Sequence, residues 1–186
     1  MHILILGGTL FLGRHIVDAA LMVGHKVTTL NRGTRKDLNG IGVETLFADR
    51  NEDLAVLSGR EFDAVIDTCA YTPDVISKSI LALKQSVAAY LFVSTKSVYR
   101  DFLKIGITED DDTGRPLQTT DADYGSLKAA SEVVLLDQIP DGALIVRPGL
   151  IVGPYDPTDP FTYWPKRIAE GGKIIAPGVK SVTSNS

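Results

Sequence analysis

The sequence predicts an α/β fold, a doubly wound parallel sheet with helices on both faces. Short runs of apolar and β-branched residues alternate with stretches of helical periodicity, which is typical of βαβ units. A glycine-rich turn at residues 7–13 separates the first apolar run from the first helical stretch. Because crossovers between parallel strands are right-handed, few other topologies fit this order of elements.

The apolar runs predict six strands, at Ile3–Leu6, Lys26–Leu30, Val43–Phe47, Phe62–Ile66, Ala89–Val93 and Ala143–Val146. Helices are predicted at Phe11–Val23, from Asp49 or Asn51 to Leu57, and at Pro73–Lys84, Tyr124–Asp137 and Phe161–Ala169. The buried face of the first helix is expected to comprise Leu12, Ile16, Ala19, Ala20 and Val23. The polar segment 99–123 is expected to be a long surface loop.

The composition is that of an ordinary globular protein, with 44% hydrophobic and 23% charged residues. A net charge of −4 argues against binding nucleic acid or a membrane through bulk electrostatics. No apolar run is long enough to cross a membrane, and the first six residues lack the basic start of a signal peptide. Because Cys69 is the single cysteine, a reducing, cytoplasmic location is expected. No group of residues has metal-ligand spacing.

The glycine-rich turn is the first candidate site. Gly7 can form a tight turn after a buried strand, and Gly13 can let the next helix pack closely on that strand. Backbone N–H groups at the start of the helix would then approach the pyrophosphate of a nicotinamide dinucleotide. The residues assigned to this contact are Gly7, Thr9, Leu10, Phe11, Leu12 and Gly13. The alternative is a structural turn that holds no ligand.

This glycine pattern resembles the extended short-chain dehydrogenase/reductase family, the NAD-dependent epimerase/dehydratase group, whose usual form is Thr-Gly-x-x-Gly-x-x-Gly. Leu6 replaces the threonine and Leu10 replaces the middle glycine. The form Gly-Gly-Thr-x-Phe-Leu-Gly is similar to an atypical branch that includes plastid stem-loop RNA-binding proteins. The resemblance implies a Rossmann domain over residues 1–178, followed by a loose tail at 179–186 and largely without the family's C-terminal substrate lobe.

The end of the second strand favours NADP as the cofactor, with NAD as the alternative. An acidic residue there would bind the ribose hydroxyls of NAD, but this sequence has Asn31 and Arg32. Arg32 could stack on adenine and pair with a 2′-phosphate, together with Arg35 or Lys36. These cations could instead belong to a solvated loop.

The family resemblance implies further cofactor contacts after the later strands. Asp49 would bond the adenine amino group, although a role as a helix cap fits it equally well. The remaining positions that match the family's cofactor contacts are Arg50, Ala70, Tyr71, Pro148 and Ile151. Cys69 is expected to be a small buried hydrophobic residue.

Tyr124 and Lys128 form the candidate catalytic pair. They are four residues apart, which places them on one face of a helix, and none of the other five tyrosines has a lysine at this spacing. A neighbouring ammonium would lower the pKa of Tyr124, so that its hydroxyl could exchange a proton with a substrate oxygen. Lys128 could also orient the nicotinamide ribose. The family resemblance adds Thr95 as the hydroxyl that polarises the substrate oxygen, with Ser94 as the alternative.

Three functions are compatible with these motifs. The first is an NAD(P)-dependent oxidoreductase, epimerase or dehydratase that acts on a sugar nucleotide or small carbonyl compound. The second is a non-catalytic cofactor-binding or RNA-binding module, and the third is an inactive remnant that still binds cofactor. The expected partners are a small-molecule substrate and, because a sheet edge would be left open, a second copy of the chain. The sequence leaves open whether this chain is active alone.

Overall fold

A computed structural model describes residues 1–33, 42–83, 87–101, 104–114, 123–158 and 160–174. Its centre is a six-stranded sheet in the order β3-β2-β1-β4-β5-β6, in which every pair of neighbours is parallel. The strands are β1 His2–Leu6, β2 Lys26–Asn31, β3 Val43–Phe47, β4 Phe62–Asp67, β5 Val87–Val93 and β6 Ala143–Val146. The α/β fold with a doubly wound parallel sheet is therefore confirmed.

Four α-helices accompany the sheet, namely α1 Phe11–Met22, α2 Pro73–Leu83, α3 Tyr124–Gln138 and α4 Tyr163–Ala169. Helix α1 packs on one sheet face, where Val17 and Ala20 meet Ile3 and Ile5 of β1. The other face of β1 belongs to a second cluster, which contains residues of α2 and α3 such as Ile80 and Leu135. Helices therefore lie on both faces of the sheet, because alternate residues of a buried parallel strand point to opposite faces.

Two details of the predicted helices are wrong. On α1 the buried residues are Gly13, Val17 and Ala20, whereas Val23 is 70% exposed and follows the last helical residue. The helix predicted to run to Leu57 is only a 3-10 turn at Ala55–Leu57, and no side chain caps its start. Asp49 and Asp53 instead accept hydrogen bonds from the backbone two residues ahead, which stabilises turns rather than a helix.

The chain divides into two compact units, Met1–Ile151 and Val152–Ser186. The first contains the whole sheet and helices α1 to α3. The second contains α4, which begins two residues later than predicted, and whose end is held by hydrogen bonds from Arg167 to the carbonyls of Gly171 and Lys173. The boundary predicted at residue 178 and the tail at 179–186 lie outside the described residues.

Strand β6 is the last strand of the sheet among the described residues. Its Leu144 and Val146 are 57% and 40% exposed, although they pair in register with Leu91 and Val93 of β5. Within the part of the chain that the structure describes, no helix is long and apolar enough to cross a membrane.

Candidate functional site

The candidate site lies at the switch point of the sheet, between β1 and β4, where the order of the strands reverses. Strand β1 pairs with β2 on one side and with β4 on the other, so the chain segments that follow β1 and β4 leave the sheet in opposite directions. Ligands of open parallel sheets bind in the crevice at such a point, beyond the carboxyl ends of the strands. The segments there are the glycine turn after Leu6 and residues 68–71 after Asp67.

The glycine turn is closely packed on its surroundings. Gly7 has a φ of +92°, a conformation that favours glycine, and an added Cβ would lie 2.6 Å from Thr68 Oγ1. An added Cβ on Gly13 would lie only 2.0 Å from the carbonyl oxygen of Gly7. The turn therefore brings the start of α1 against the end of β1, as the sequence predicts for Gly7 and Gly13.

The start of α1 has the features of an anion-binding site. Its N-cap residue, Leu10, makes no side-chain hydrogen bond, and the first turn contains no acidic residue. Phe11 begins the helix with a φ of +39°, and Leu10 is 38% exposed. The Gly13 N–H donates to the Leu10 carbonyl over 3.0 Å. The N–H groups of a first turn otherwise lack partners within the helix, and they lie at the positive end of its dipole. A pyrophosphate fits this cradle of glycines and backbone N–H groups.

The segment after β2 and β3 forms the side of the site assigned to adenosine. Asn31 donates from Nδ2 to Thr29 Oγ1 over 3.1 Å, and Arg32 is exposed. Hydrogen bonds from Asn51 lower the pKa of Asp49, and the positive charge of Arg32 lowers it further. Arg32 and Asp49 are thus neighbours, whereas Arg35 and Lys36 lie outside the described residues. Asp49 does not cap a helix, so the alternative proposed for it is wrong.

Tyr124 begins helix α3 directly beside Thr95. Asp123 caps the helix by accepting a hydrogen bond from the Ser126 N–H over 2.8 Å. Gly125 allows the close approach, because an added Cβ there would lie 2.3 Å from the carbonyl oxygen of Ser97. The Thr95 hydroxyl accepts from the Ser97 N–H and forms a side-chain hydrogen bond with Tyr124. The sequence reasoning did not identify Gly125, although it lies within the Tyr124–Lys128 motif.

Lys128 is buried one turn further along α3, with 1% of its surface exposed. Its ammonium donates to the Ala70 carbonyl over 2.9 Å and to the Val93 carbonyl over 2.7 Å. It also lies over the rings of Phe92 and Tyr71, 4.1 Å and 5.6 Å from their centroids. Burial lowers the pKa of Lys128 to about 8, against the attraction of Asp67. The ammonium thus joins the ends of β4 and β5 to α3.

The expected lowering of the Tyr124 pKa is not found. Burial raises the pKa of Tyr124, the nearby Tyr71 raises it further, and the hydrogen bond with Thr95 lowers it. The Tyr71 and Tyr124 ring centroids are 6.3 Å apart. The reason is geometric, because Lys128 is held by the two backbone carbonyls and not by the phenol oxygen. Tyr124 therefore carries its proton at neutral pH in this structure.

Known proteins share this fold and part of this sequence. The chain is 27% identical over 165 residues to a UDP-glucose 4-epimerase from Neisseria meningitidis, covering 73% of this chain and 48% of that protein. It superposes on dTDP-glucose 4,6-dehydratase of Bacillus anthracis with a TM-score of 0.74, at 18% identity, covering 93% of this chain and 63% of that one. The Bordetella bronchiseptica enzyme WbmG, solved with NAD and UDP, gives a TM-score of 0.74 at 21% identity, covering 92% and 60%. No family model matches the chain.

The predicted family resemblance is confirmed. The structural neighbours include a UDP-galactose 4-epimerase and a dTDP-glucose 4,6-dehydratase. This chain spans about half the length of the curated relative that it matches. In this chain, the glycine turn and the end of β4 flank the point where the strand order of the sheet reverses.

Arg50, which the epimerase/dehydratase resemblance implies as a cofactor contact, is buried. Its side chain is directed into the protein, where its guanidinium binds both oxygens of Asp67 over 2.8 and 2.5 Å. Burial disfavours the charge of Arg50, but the charge and hydrogen bonds of Asp67 outweigh this, so the pKa of Arg50 lies above its ordinary value. The contacts of this guanidinium are with the protein interior, so a contact between Arg50 and a cofactor would involve the backbone of the residue.

Of the other positions implied by the epimerase/dehydratase resemblance, Ala70 and Tyr71 follow β4 and Pro148 follows β6. Ala70 is buried and its carbonyl holds Lys128, while Tyr71 is 56% exposed. Pro148 accepts a hydrogen bond from the Lys96 N–H over 2.9 Å, which places the segment after β6 beside the one after β5. Ile151 is partly buried. Among the described residues, no group of histidine, cysteine or acidic side chains is arranged to hold a metal.

Glu132 is a buried residue near the site that the sequence reasoning missed. It lies one turn after Lys128 on the same face of α3 and is 2% exposed. Its carboxylate accepts a hydrogen bond from the Ser94 hydroxyl and forms an ion pair with Arg147 Nη2 over 2.8 Å. The hydrogen bonds that Arg147 donates to Glu132 raise the pKa of Arg147. The spacing of four residues from Lys128 was the signal that could have revealed it.

Proposed function

We propose that the unit 1–151 binds a nicotinamide dinucleotide across the switch point of the sheet. The pyrophosphate would lie on the uncapped N-terminus of α1, and the close approach of Gly13 to Gly7 supports this placement. The adenosine would lie beside Asn31, Arg32 and Asp49, and the nicotinamide toward Tyr124 and Pro148. The NAD bound in the similar Bacillus anthracis dehydratase supports the class of cofactor.

We propose further that the chain belongs to an enzyme that epimerises, dehydrates, oxidises or reduces a sugar nucleotide or small carbonyl compound. The observation that carries this proposal is the meeting of Thr95, Tyr124 and Lys128 at the carboxyl ends of β4 and β5. A nicotinamide bound there would supply the hydride acceptor or donor. The name of the 27% identical relative, a UDP-glucose 4-epimerase, supports a nucleotide-linked sugar as the substrate class.

Tyr124, Thr95 and Lys128 would each have a different role in the reaction. Tyr124 starts with its proton, because burial raises its pKa, so it is ready to donate to a substrate oxygen. Thr95 holds the phenol by a hydrogen bond and presents a second hydroxyl to the same oxygen. Lys128 is mostly charged at pH 7, because its pKa is about 8, and its ammonium would orient the nicotinamide ribose.

Tyr124→Phe tests the catalytic part of this proposal. Turnover is expected to fall about 10²- to 10⁴-fold, the usual contribution of a positioned acid or base, while cofactor affinity changes less than about threefold. The measurement is the interconversion of UDP-sugars with added NAD or NADP, together with cofactor titration by NADH fluorescence. Tyr163→Phe removes the same hydroxyl from an exposed tyrosine of the other unit and should leave both values unchanged. Equal turnover of Tyr124→Phe and the parent protein would refute the role of Tyr124.

Arg32 is proposed to select NADP over NAD. Charge-assisted hydrogen bonds are worth about 1.5–3 kcal/mol, so Arg32→Ser should weaken NADP binding by about tenfold or more and leave NAD binding nearly unchanged. Dissociation constants for both cofactors in both proteins measure this ratio. Arg100→Ser serves as a control of equal charge, because Arg100 is exposed and binds the Gly114 carbonyl. A constant ratio of the two dissociation constants would mean that Arg32 belongs to a solvated loop.

A further inference from the structure

A buried and fully bonded polar network lies beneath the candidate site. Asp67, the last residue of β4, is 0% exposed, and Arg50, which follows β3, is 7% exposed. The Asp67 carboxylate accepts five hydrogen bonds. All five N–H donors of the Arg50 guanidinium are used, by Asp67, Ser79 and Cys69. Because every member is satisfied, the network can hold one rigid arrangement.

The two carboxylate oxygens of Asp67 bind different parts of the protein. Oδ2 binds Arg50 Nη2 and the hydroxyl of Tyr90, which fixes the carboxylate within the core. Oδ1 binds Arg50 Nη1 and also the backbone N–H groups of Cys69 and Ala70, each over 3.0 Å. Asp67 therefore determines how the chain turns as it leaves β4 at the switch point.

This turn reaches the candidate catalytic lysine. Ala70 is buried, and its carbonyl oxygen accepts a hydrogen bond from the Lys128 ammonium over 2.9 Å. The other acceptor is the Val93 carbonyl at the end of β5. We infer that Asp67 is a positioning residue, which directs the Ala70 carbonyl at Lys128, and that Arg50 holds Asp67 in place for this task. The inference rests on the proposed function only for the role of Lys128 in binding the nicotinamide.

The charges around Lys128 agree with this arrangement. Burial lowers its pKa, and the largest opposing contribution comes from Asp67. Cys69 and Glu132 also favour the charged lysine, whereas Arg50 disfavours it. Asp67 thus supports Lys128 in two ways, by placing its hydrogen-bond acceptor and by favouring its ammonium form.

Two double variants separate these effects. Both contain Arg50→Met, so that no buried guanidinium is left unpaired. With Asp67→Asn, an amide oxygen can still accept from the N–H groups of Cys69 and Ala70, but the negative charge is lost. With Asp67→Leu, the acceptor is lost as well. Leu57→Ala, a change to a fully buried residue of the 3-10 turn outside the network, serves as a control for loss of stability alone.

The first measurement needs no cofactor. The pKa of the Lys128 ammonium is followed by NMR of its Nζ and Cε nuclei in each folded variant. It is expected to fall by up to about one pH unit in both double variants, because losing the charge of Asp67 outweighs losing the opposing charge of Arg50, and to stay near the parental value in Leu57→Ala. An unchanged pKa in the double variants would overturn the inference, even if the protein binds no dinucleotide.

The second measurement is the affinity for NADH. The Asp67→Leu double variant is expected to bind at least about tenfold more weakly than the Asp67→Asn double variant, because only the former lacks an acceptor for the turn. Equal affinities of the two would refute the positioning role. Absence of binding in the parent protein itself would refute the proposed cofactor, and the NMR result would then decide the inference alone.

Discussion

Gly13→Ala is expected to lower the free energy of unfolding by about 3 kcal/mol and to abolish binding of a nicotinamide dinucleotide. The added methyl group would lie 2.0 Å from the Gly7 carbonyl oxygen and 3.1 Å from the Gly8 Cα. Both neighbours are backbone atoms of the glycine turn, so no side chain can move away to relieve the contact. Overpacking of this kind costs about 1–3 kcal/mol or more. Chemical denaturation and NADH titration measure the two effects.

Gly149→Ala is the matched control for this result. The nearest atom to its added methyl group would be Lys96 Cδ, at 3.9 Å, which is an ordinary contact with a flexible side chain. Its free energy of unfolding should stay within about 0.5 kcal/mol of the parent value. If Gly13→Ala were as stable as Gly149→Ala, the close packing of α1 on β1 would be wrong, and with it the placement of the pyrophosphate.

Glu132→Gln is expected to destabilise the protein by about 3 kcal/mol. Removing one partner of a buried ion pair leaves the other charge without compensation, which costs about 3–5 kcal/mol. The lower end applies here because Arg147 keeps bonds to the Tyr99 hydroxyl and the Glu109 carbonyl, and its side chain is 17% exposed. The change is read from denaturant unfolding curves.

The exposed pair of Arg60 and Glu44 offers the comparison. Their side chains are 34% and 42% exposed, and their N–O distance of 2.8 Å equals that of the Arg147–Glu132 pair. Because exposed pairs contribute about 0–1 kcal/mol, Glu44→Gln should change stability by less than about 1 kcal/mol. Equal losses in both variants would mean that burial does not set the strength of the Glu132 pair.

The sequence predicted which residues come together at the candidate site better than it predicted which groups their side chains contact. The spacing of Tyr124 and Lys128 placed both on one helix, and the strand ends placed Thr95 near them, because local periodicity and parallel topology suffice for this. The pKa of Tyr124 and the partners of Arg50 were not predictable in this way. Each depends on desolvation and on which polar groups a side chain meets after the layers pack.

The sequence by itself determined the six strands, helices α1 to α3 and the position of the glycine turn, since these follow from periods of 2 and 3.6 residues and from glycine's freedom at positive φ. Only the tertiary structure decided what the charged residues do. Arg50 meets Asp67 across 17 residues, and Lys128 meets the Ala70 carbonyl across 58. A buried charge must find compensating partners, and its partners are chosen by the packing of distant elements, about which local sequence patterns carry no information.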